Sequence, residues 1–185
     1  MMAVAEASQE GLKQRLNVSG GNSLRGTLRV SGAKNSALVL MTASLLSQDT
    51  VELTNIPSLT DIEGMSAILE SLGVQVDRAS ERIRLTAAEL SGSAPPYELV
   101  NSLRASFFSI GPLLGRLGHA RVPLPGGCRI GARPVVEHIR GLKALGAIVN
   151  VEHGIVTASV PGSKKRLTGA QIVLDIDNGA EGFQT

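Results

Sequence analysis

The sequence predicts an α/β fold made of two copies of one unit, each running helix, strand, helix and β-hairpin. Residues 69–87 parallel residues 142–160, and Gly73 corresponds to Gly146, which gives a period of 73 residues. Helical and strand-like spacings of apolar residues also follow one another in the same order in both units. A repeat this long and mixed indicates duplicated α/β subdomains rather than a solenoid.

The composition excludes several classes of protein. The 185 residues are 43% hydrophobic, enough for a sizeable core, but they include no Trp, three Phe and one Tyr. So few aromatic rings argue against nucleic-acid binding by base stacking. The single Cys excludes a disulfide framework and a Cys-rich metal site. No apolar run approaches the ~20 residues of a membrane span, and the first ten residues do not have the pattern of a signal peptide. We therefore expect a cytoplasmic protein that contacts neither nucleic acid nor membrane.

Charge is distributed unevenly although the net charge is only +2. Residues 11–43 carry five basic side chains and no acidic ones, whereas residues 44–98 carry nine acidic and three basic ones. Residues 99–151 carry seven basic side chains and one acidic one, Glu137. The two basic stretches are either ordinary solvated surface or parts of one shared anion site.

The first unit follows a loose tail, predicted for residues 1–11, and two short strands at 16–18 and 26–30. Residues 37–46 are apolar on nearly every side, which predicts a helix buried all round, starting near Lys34. Residues 50–56 alternate as a half-buried strand. A capping box at 60–63 then opens a helix that ends at Gly73, and residues 74–76 and 83–85 form a hairpin.

The second unit repeats this order. Helical spacing runs from 97 to 117, and Pro112 is expected to kink or split the helix. A strand follows at 119–124, then a helix with Pro134 at its first position and Gly146 at its end. Residues 147–151 and 155–160 form a hairpin, and residues 170–175 open one more strand.

The loop between the strand and the helix of the second unit carries the chemistry. It is longer than its counterpart in the first unit by five residues, measured from proline to glycine, and it reads PGGCRIGARP at 125–134. Arg129 and Arg133 favour the thiolate of Cys128, so this thiol is a candidate nucleophile or proton donor. The alternative is a small buried apolar cysteine.

Three segments resemble a known family, the enolpyruvyl transferases of peptidoglycan synthesis. They read SGAKNSALVLMTASLL at 31–46, LRASFFSIGPLL at 103–114 and LPGGCRIGARPVVEH at 124–138. The resemblance implies an inside-out α/β barrel whose two domains each hold three such repeats. Residues 34–185 then form an incomplete first domain of two repeats and the start of a third. Residues 12–33 are strands that pair with a second domain.

The resemblance also implies a reaction, the transfer of an enolpyruvyl group from phosphoenolpyruvate to the 3′-hydroxyl of UDP-N-acetylglucosamine. That is the first committed step of peptidoglycan synthesis, a process that belongs to cell-wall biogenesis and bears on cell shape, the cell cycle and cell division. Cys128 would deliver the C3 proton and form a covalent adduct. The binding roles would fall to Lys34 and Arg104 on phosphoenolpyruvate, Asn35 near the reacting hydroxyl, Arg133 on a phosphate, and Pro134, Val135, Val136 and Glu137 along the uridine diphosphate. No metal or organic cofactor is implied.

Other interpretations remain open at this point. Taken alone, Arg104 fits a snorkelling surface side chain better than a ligand-binding one, and Asn35 fits a helix N-cap. The chain itself fits a non-catalytic anion- or nucleotide-binding remnant of the enzyme, or an RNA 3′-phosphate cyclase-like protein, although no motif for a nucleotidylated histidine is seen. A fragment, a frameshifted gene and a genuine short protein are all compatible with the sequence, and the oligomeric state is not specified. We expect the 185-residue chain to be inactive by itself.

Overall fold

The computed structural model describes residues 17–21, 23–125, 135–162 and 166–173. The chain divides into an N-terminal segment, Met1–Val30, and a main body, Ser31–Thr185. In the N-terminal segment, residues 17–21 and 23–30 are exposed and form no strand, so the predicted strands are wrong over these residues. A two-stranded ribbon is marginal in water without a third strand or a helix to pack on. Pairing of residues 12–33 with a second domain stays a prediction.

The main body begins with one complete helix–strand–helix–hairpin repeat. Its elements are α1 (Lys34–Ala43), a 3₁₀ turn (Ser44–Leu46), β1 (Thr50–Thr54), α2 (Thr60–Ser71), β2 (Gln75–Ala79) and β3 (Arg82–Thr86). The two helices lie side by side, and the three strands form an antiparallel sheet in the order β1-β3-β2.

The elements of the next repeat are α3 (Tyr97–Ser102), a 3₁₀ segment (Arg104–Ser109), α4 (Ile110–Leu117), β4 (His119–Pro123), α5 (Val136–Ala144), β5 (Ile148–Glu152) and β6 (Ile155–Ser159). Its sheet has the same topology, with antiparallel strands in the order β4-β6-β5. Among the described residues, no helix is long and apolar enough to cross a membrane.

The duplication predicted from the sequence is confirmed down to strand register. Gln75 lies opposite Thr86 in the first sheet, and Ile148 lies opposite Ser159 in the second, each residue shifted by the 73-residue period. The helices before the two hairpins also end alike. Gly73 and Gly146 have φ of 95° and 88°. After Gly73, the N–H of Val74 donates to the carbonyl of Leu69 at 3.1 Å, and after Gly146 the N–H of Ala147 donates to the carbonyl of Leu142 at 3.0 Å. Both ends are Schellman motifs, which glycine forms without strain.

The prediction that α1 is buried all round is wrong. Its inner side, with Leu38 and Met41, packs into the core, but Val39 and Leu40 are 44% and 50% exposed. Leu46, at the end of the 3₁₀ turn, is 59% exposed. Among the described residues, α1 packs against α2 and the 3₁₀ segment on one side only, so part of its apolar surface stays in contact with solvent.

Two helix boundaries differ from the prediction. The N-cap of α2 is Leu59, with no side-chain capping hydrogen bond. Thr60 is already helical, one position too late to form the predicted box with Glu63. The helix predicted over 97–117 breaks at Leu103, whose backbone is extended, not at Pro112. Pro112 lies in the first turn of α4, where a backbone N–H has no partner within the helix, so its missing N–H does not break the helix. The strand predicted from Ala170 is not seen in residues 170–173.

Arg116, near the end of α4, joins the two repeats through three main-chain carbonyl groups. Its Nη1 donates to the carbonyls of Leu45 and Ser47, each at 2.9 Å, and its Nη2 donates to the carbonyl of Ala88 at 2.8 Å. The first two carbonyls belong to the end of the 3₁₀ turn that follows α1, where a positive charge is favoured. The guanidinium therefore holds α4 to the segment before β1 and to the segment after β3.

Candidate functional site

Lys34 is the first residue of α1, and its ammonium group contacts the start of α2. Its Nζ lies 2.5 Å from Oδ2 of Asp61, the second residue of α2, and both side chains are partly exposed. The helix dipole disfavours a cation at the start of α1 and favours an anion at the start of α2. Asp61 therefore offsets the unfavourable position of Lys34 while lying well for its own helix.

Asn35 is exposed in the first turn of α1, directly after Lys34. The N-cap of this helix is Ala33, whose backbone is extended. The alternative that Asn35 is the N-cap is therefore wrong, and its side-chain amide is not used to begin the helix.

Arg104 opens the 3₁₀ segment that leads through α4 into β4, as Lys34 opens the helix that leads into β1. The two basic residues thus occupy similar places, each at the start of a helical segment that comes before the first strand of its repeat. Arg104 is half-buried, and α1 packs against the segment that it begins. Its guanidinium lies near enough to His138 to disfavour the protonated imidazole.

The first turn of α5 carries the described part of the predicted nucleotide-binding residues. Val135 is buried, whereas Val136 is 60% exposed. Glu137 is half-buried, and its Oε1 lies 3.3 Å from Nη1 of Arg140. The turn therefore holds one valine in the core and presents the next to solvent.

His138, in the same turn, contacts two rings of the 3₁₀ segment. Its ring centroid lies 5.6 Å from that of Phe107, edge to face, and 6.1 Å from that of Phe108. Desolvation by these neighbours, and then the charge of Arg104, lower the pKa of His138, while Glu137 acts in the opposite direction. Sequence reasoning did not select His138 as a site residue. The only signal was its place at the end of the LPGGCRIGARPVVEH motif.

Residues 126–134 of the predicted loop, among them Cys128, Arg129, Arg133 and Pro134, lie outside the described residues, so the predictions about them stay predictions. Within the described ranges, no group of three or more His, Cys, Asp or Glu side chains could hold a metal ion.

The fold and these residues define a class of protein. It is an α/β protein of duplicated subdomains in which a basic side chain lies at the start of a helical segment in each copy. The model of the EPSP synthase family, 3-phosphoshikimate 1-carboxyvinyltransferase, matches residues 18–178. The chain belongs to this family, which confirms the predicted enolpyruvyl transferase membership.

Curated relatives and solved structures agree with that assignment. The chain is 93% identical over 175 residues to the UDP-N-acetylglucosamine 1-carboxyvinyltransferase of Synechococcus sp. (strain CC9605), a match that covers 95% of this chain and 40% of the relative. It is 69% identical, with the same coverage, to the protein of that name from Parasynechococcus marenigrum (strain WH8102). The chain thus spans about 40% of the length of these relatives.

Two solved structures confirm the predicted fold class. The enolpyruvyl transferase NikO from Streptomyces tendae superposes with a TM-score of 0.65 at 24% identity, covering 80% of this chain and 32% of that one. EPSP synthase from Acinetobacter baumannii superposes with a TM-score of 0.54 at 17% identity, covering 73% and 32%. At these identities the likeness shows the fold alone.

Proposed function

We propose that the protein carrying this chain transfers the enolpyruvyl group of phosphoenolpyruvate to the 3′-hydroxyl of UDP-N-acetylglucosamine. The observation that carries the proposal is the 93% identity, over 95% of this chain, to a relative named for that reaction. The proposal gives the protein a cytoplasmic place in peptidoglycan synthesis, and so in cell-wall biogenesis, cell shape and cell division.

The proposed reaction adds and then eliminates. The 3′-oxygen of the sugar bonds to C2 of phosphoenolpyruvate and loses its proton to a base, while C3 gains a proton from an acid. In the tetrahedral ketal that results, the bond from C2 to the phosphate oxygen breaks, C3 loses a proton, and the double bond is restored as phosphate leaves. We assign the C3 proton donor, and the residue that forms a covalent adduct, to Cys128.

The charges of the described residues support the assignment of the anion-binding roles. Phosphoenolpyruvate carries a phosphate and a carboxylate, which together need several cations. Lys34 and Arg104 supply two of these cations. Lys34 begins α1, and Arg104 begins the 3₁₀ segment that packs against α1. Arg104 adds the planar geometry that suits a carboxylate or a phosphate. We assign Arg133 to a further phosphate and Asn35 to the reacting hydroxyl.

The proposed nucleotide-binding stretch runs from Pro134 to Glu137. Its exposed Val136, on the first turn of α5, is placed where a ligand can reach it, and the buried Val135 fixes that turn to the core. We propose that the uridine diphosphate lies along this turn. No metal or organic cofactor is part of the proposal.

The test is phosphate release from phosphoenolpyruvate by the complete protein encoded by the gene that carries this sequence. Release should depend on UDP-N-acetylglucosamine and should be lost in Cys128→Ala, with His153→Ala, an exposed hairpin-turn variant, as the matched control. The 185-residue chain alone should release no phosphate above the no-enzyme rate. If the complete protein binds UDP-N-acetylglucosamine but releases no phosphate, the non-catalytic remnant becomes the better description.

A further inference from the structure

The ion pair between Lys34 and Asp61 joins the starts of two packed helices. The 2.5 Å separation of Nζ and Oδ2 is a direct contact between two opposite charges. The side chains are 45% and 37% exposed, and exposed ion pairs add little to folding stability. Stability is therefore a poor account of why an aspartate stands here.

Geometry offers a better account. A lysine side chain has many rotamers, and holding it in one of them costs conformational free energy. The carboxylate of Asp61 supplies one fixed acceptor on a rigid helix, next to α1. An ammonium group has three N–H donors, so a single contact with Asp61 leaves two donors for another anion.

We propose that Asp61 is a positioning residue that fixes the ammonium group of Lys34 for an incoming phosphate or carboxylate. The inference rests on the proposed function in one respect, the assignment of phosphoenolpyruvate as the anion. It adds to that function a residue whose place in the sequence predicts only a helix start. Asp61 acts through Lys34 and is not itself expected to touch the substrate.

The opposite role makes different predictions. If Asp61 only competed with the substrate for Lys34, removing its charge would strengthen anion binding. If it only stabilised the start of α2, its replacement would lower stability without changing anion binding. Asp61→Asn and Asp61→Ala distinguish the three roles. Glu63→Gln is the matched control, because Glu63 lies in the same helix and is paired with Arg78 at 3.7 Å.

The first measurement does not need turnover. Reductive methylation of the complete protein, read by peptide mass spectrometry, reports how accessible the Lys34 amine is. Methylation of Lys34 should be faster in Asp61→Asn and Asp61→Ala than in the wild type and unchanged in Glu63→Gln. Phosphoenolpyruvate should protect Lys34, and the protecting concentration should be about tenfold higher in Asp61→Ala, as expected for loss of an orienting contact. Equal methylation rates, or stronger protection in the variants, would overturn the proposal.

The second measurement separates this inference from the proposed function. In the phosphate-release assay, kcat/KM for phosphoenolpyruvate should fall by about 10- to 100-fold in Asp61→Ala and less in Asp61→Asn, since misplacing a binding group has effects of that size. KM for UDP-N-acetylglucosamine should stay unchanged. If phosphoenolpyruvate protects Lys34 of the wild type from methylation but the wild type releases no phosphate, the enolpyruvyl transfer is rejected and the positioning role is kept. A lowered KM for phosphoenolpyruvate in the variants would reject the positioning role and keep the transfer.

Discussion

Replacing Arg116 with alanine should destabilise the packing between the two repeats. The substitution removes the three hydrogen bonds that hold the end of the first 3₁₀ turn and the segment after β3 to α4. Two of these bonds, to Leu45 and Ser47, are partly buried, and the third, to Ala88, is exposed. The exposed carbonyl can bond to water instead, so the loss comes mainly from the partly buried pair.

The magnitude follows from those two bonds. A hydrogen bond from a charged donor contributes roughly 1.5–3 kcal/mol when partly buried. Taking the lower value for each bond gives a loss of about 3 kcal/mol, a large share of the ~5–15 kcal/mol that stabilises a typical domain. Arg116→Lys should lose roughly half as much, because one ammonium cannot reach three carbonyls in a fixed fork.

The assay is urea unfolding followed by circular dichroism, on the complete protein. With a slope of ~1–3 kcal/mol per molar urea, Arg116→Ala should lower the midpoint by at least about 1 M. Arg121→Ala, an exposed arginine in β4, is the control and should change stability by no more than ~0.5 kcal/mol. If the two alanine variants unfold at the same urea concentration, Arg116 does not join the repeats in the way described.

Three further predictions use other parts of the chain. Gly73→Ala should lower the free energy of unfolding by about 1–3 kcal/mol more than Gly146→Ala does. Both sites have positive φ, but a Cβ at Gly73 would lie 2.8 Å from the Ser91 nitrogen, whereas the nearest atom to a Cβ at Gly146 is 3.8 Å away. Equal unfolding midpoints would contradict this prediction. Because the pKa of His138 is lowered from 6.5, the unfolded chain binds more protons, so stability should fall as pH drops below about 6.5. His138→Gln should flatten that slope, and an unchanged slope would mean another group is responsible. Iodoacetamide at neutral pH should alkylate Cys128 faster than free cysteine; an equal or slower rate would reject the activated thiol.

The repeat and its hairpins could be predicted because their signals are local. Apolar spacing and the glycines at 73 and 146 act within a few residues, and both hairpins formed where those signals placed them. The strand at 50–54 also followed from its alternation. The capping box at 60–63 is a local prediction that failed, because the helix begins one residue early.

The errors concern contacts between distant residues. The exposed side of α1 depends on which elements surround it, and the break at Leu103 depends on how the 3₁₀ segment packs on α1. The pairing of Lys34 with Asp61 joins residues in two different helices, so no spacing within either helix could reveal it. The site assignments drawn from the family motif, Cys128 above all, are still to be tested by experiment.

The unequal spacing of the strands has an evolutionary consequence. β2 begins 25 residues after β1 begins, whereas β5 begins 29 residues after β4 begins, yet the two sheets share one topology and one register. A duplicated scaffold can thus hold connections of different lengths between its first strand and the next helix while both sheets keep one topology. This connection is therefore a place where evolution can add or remove residues in one copy independently of its sheet.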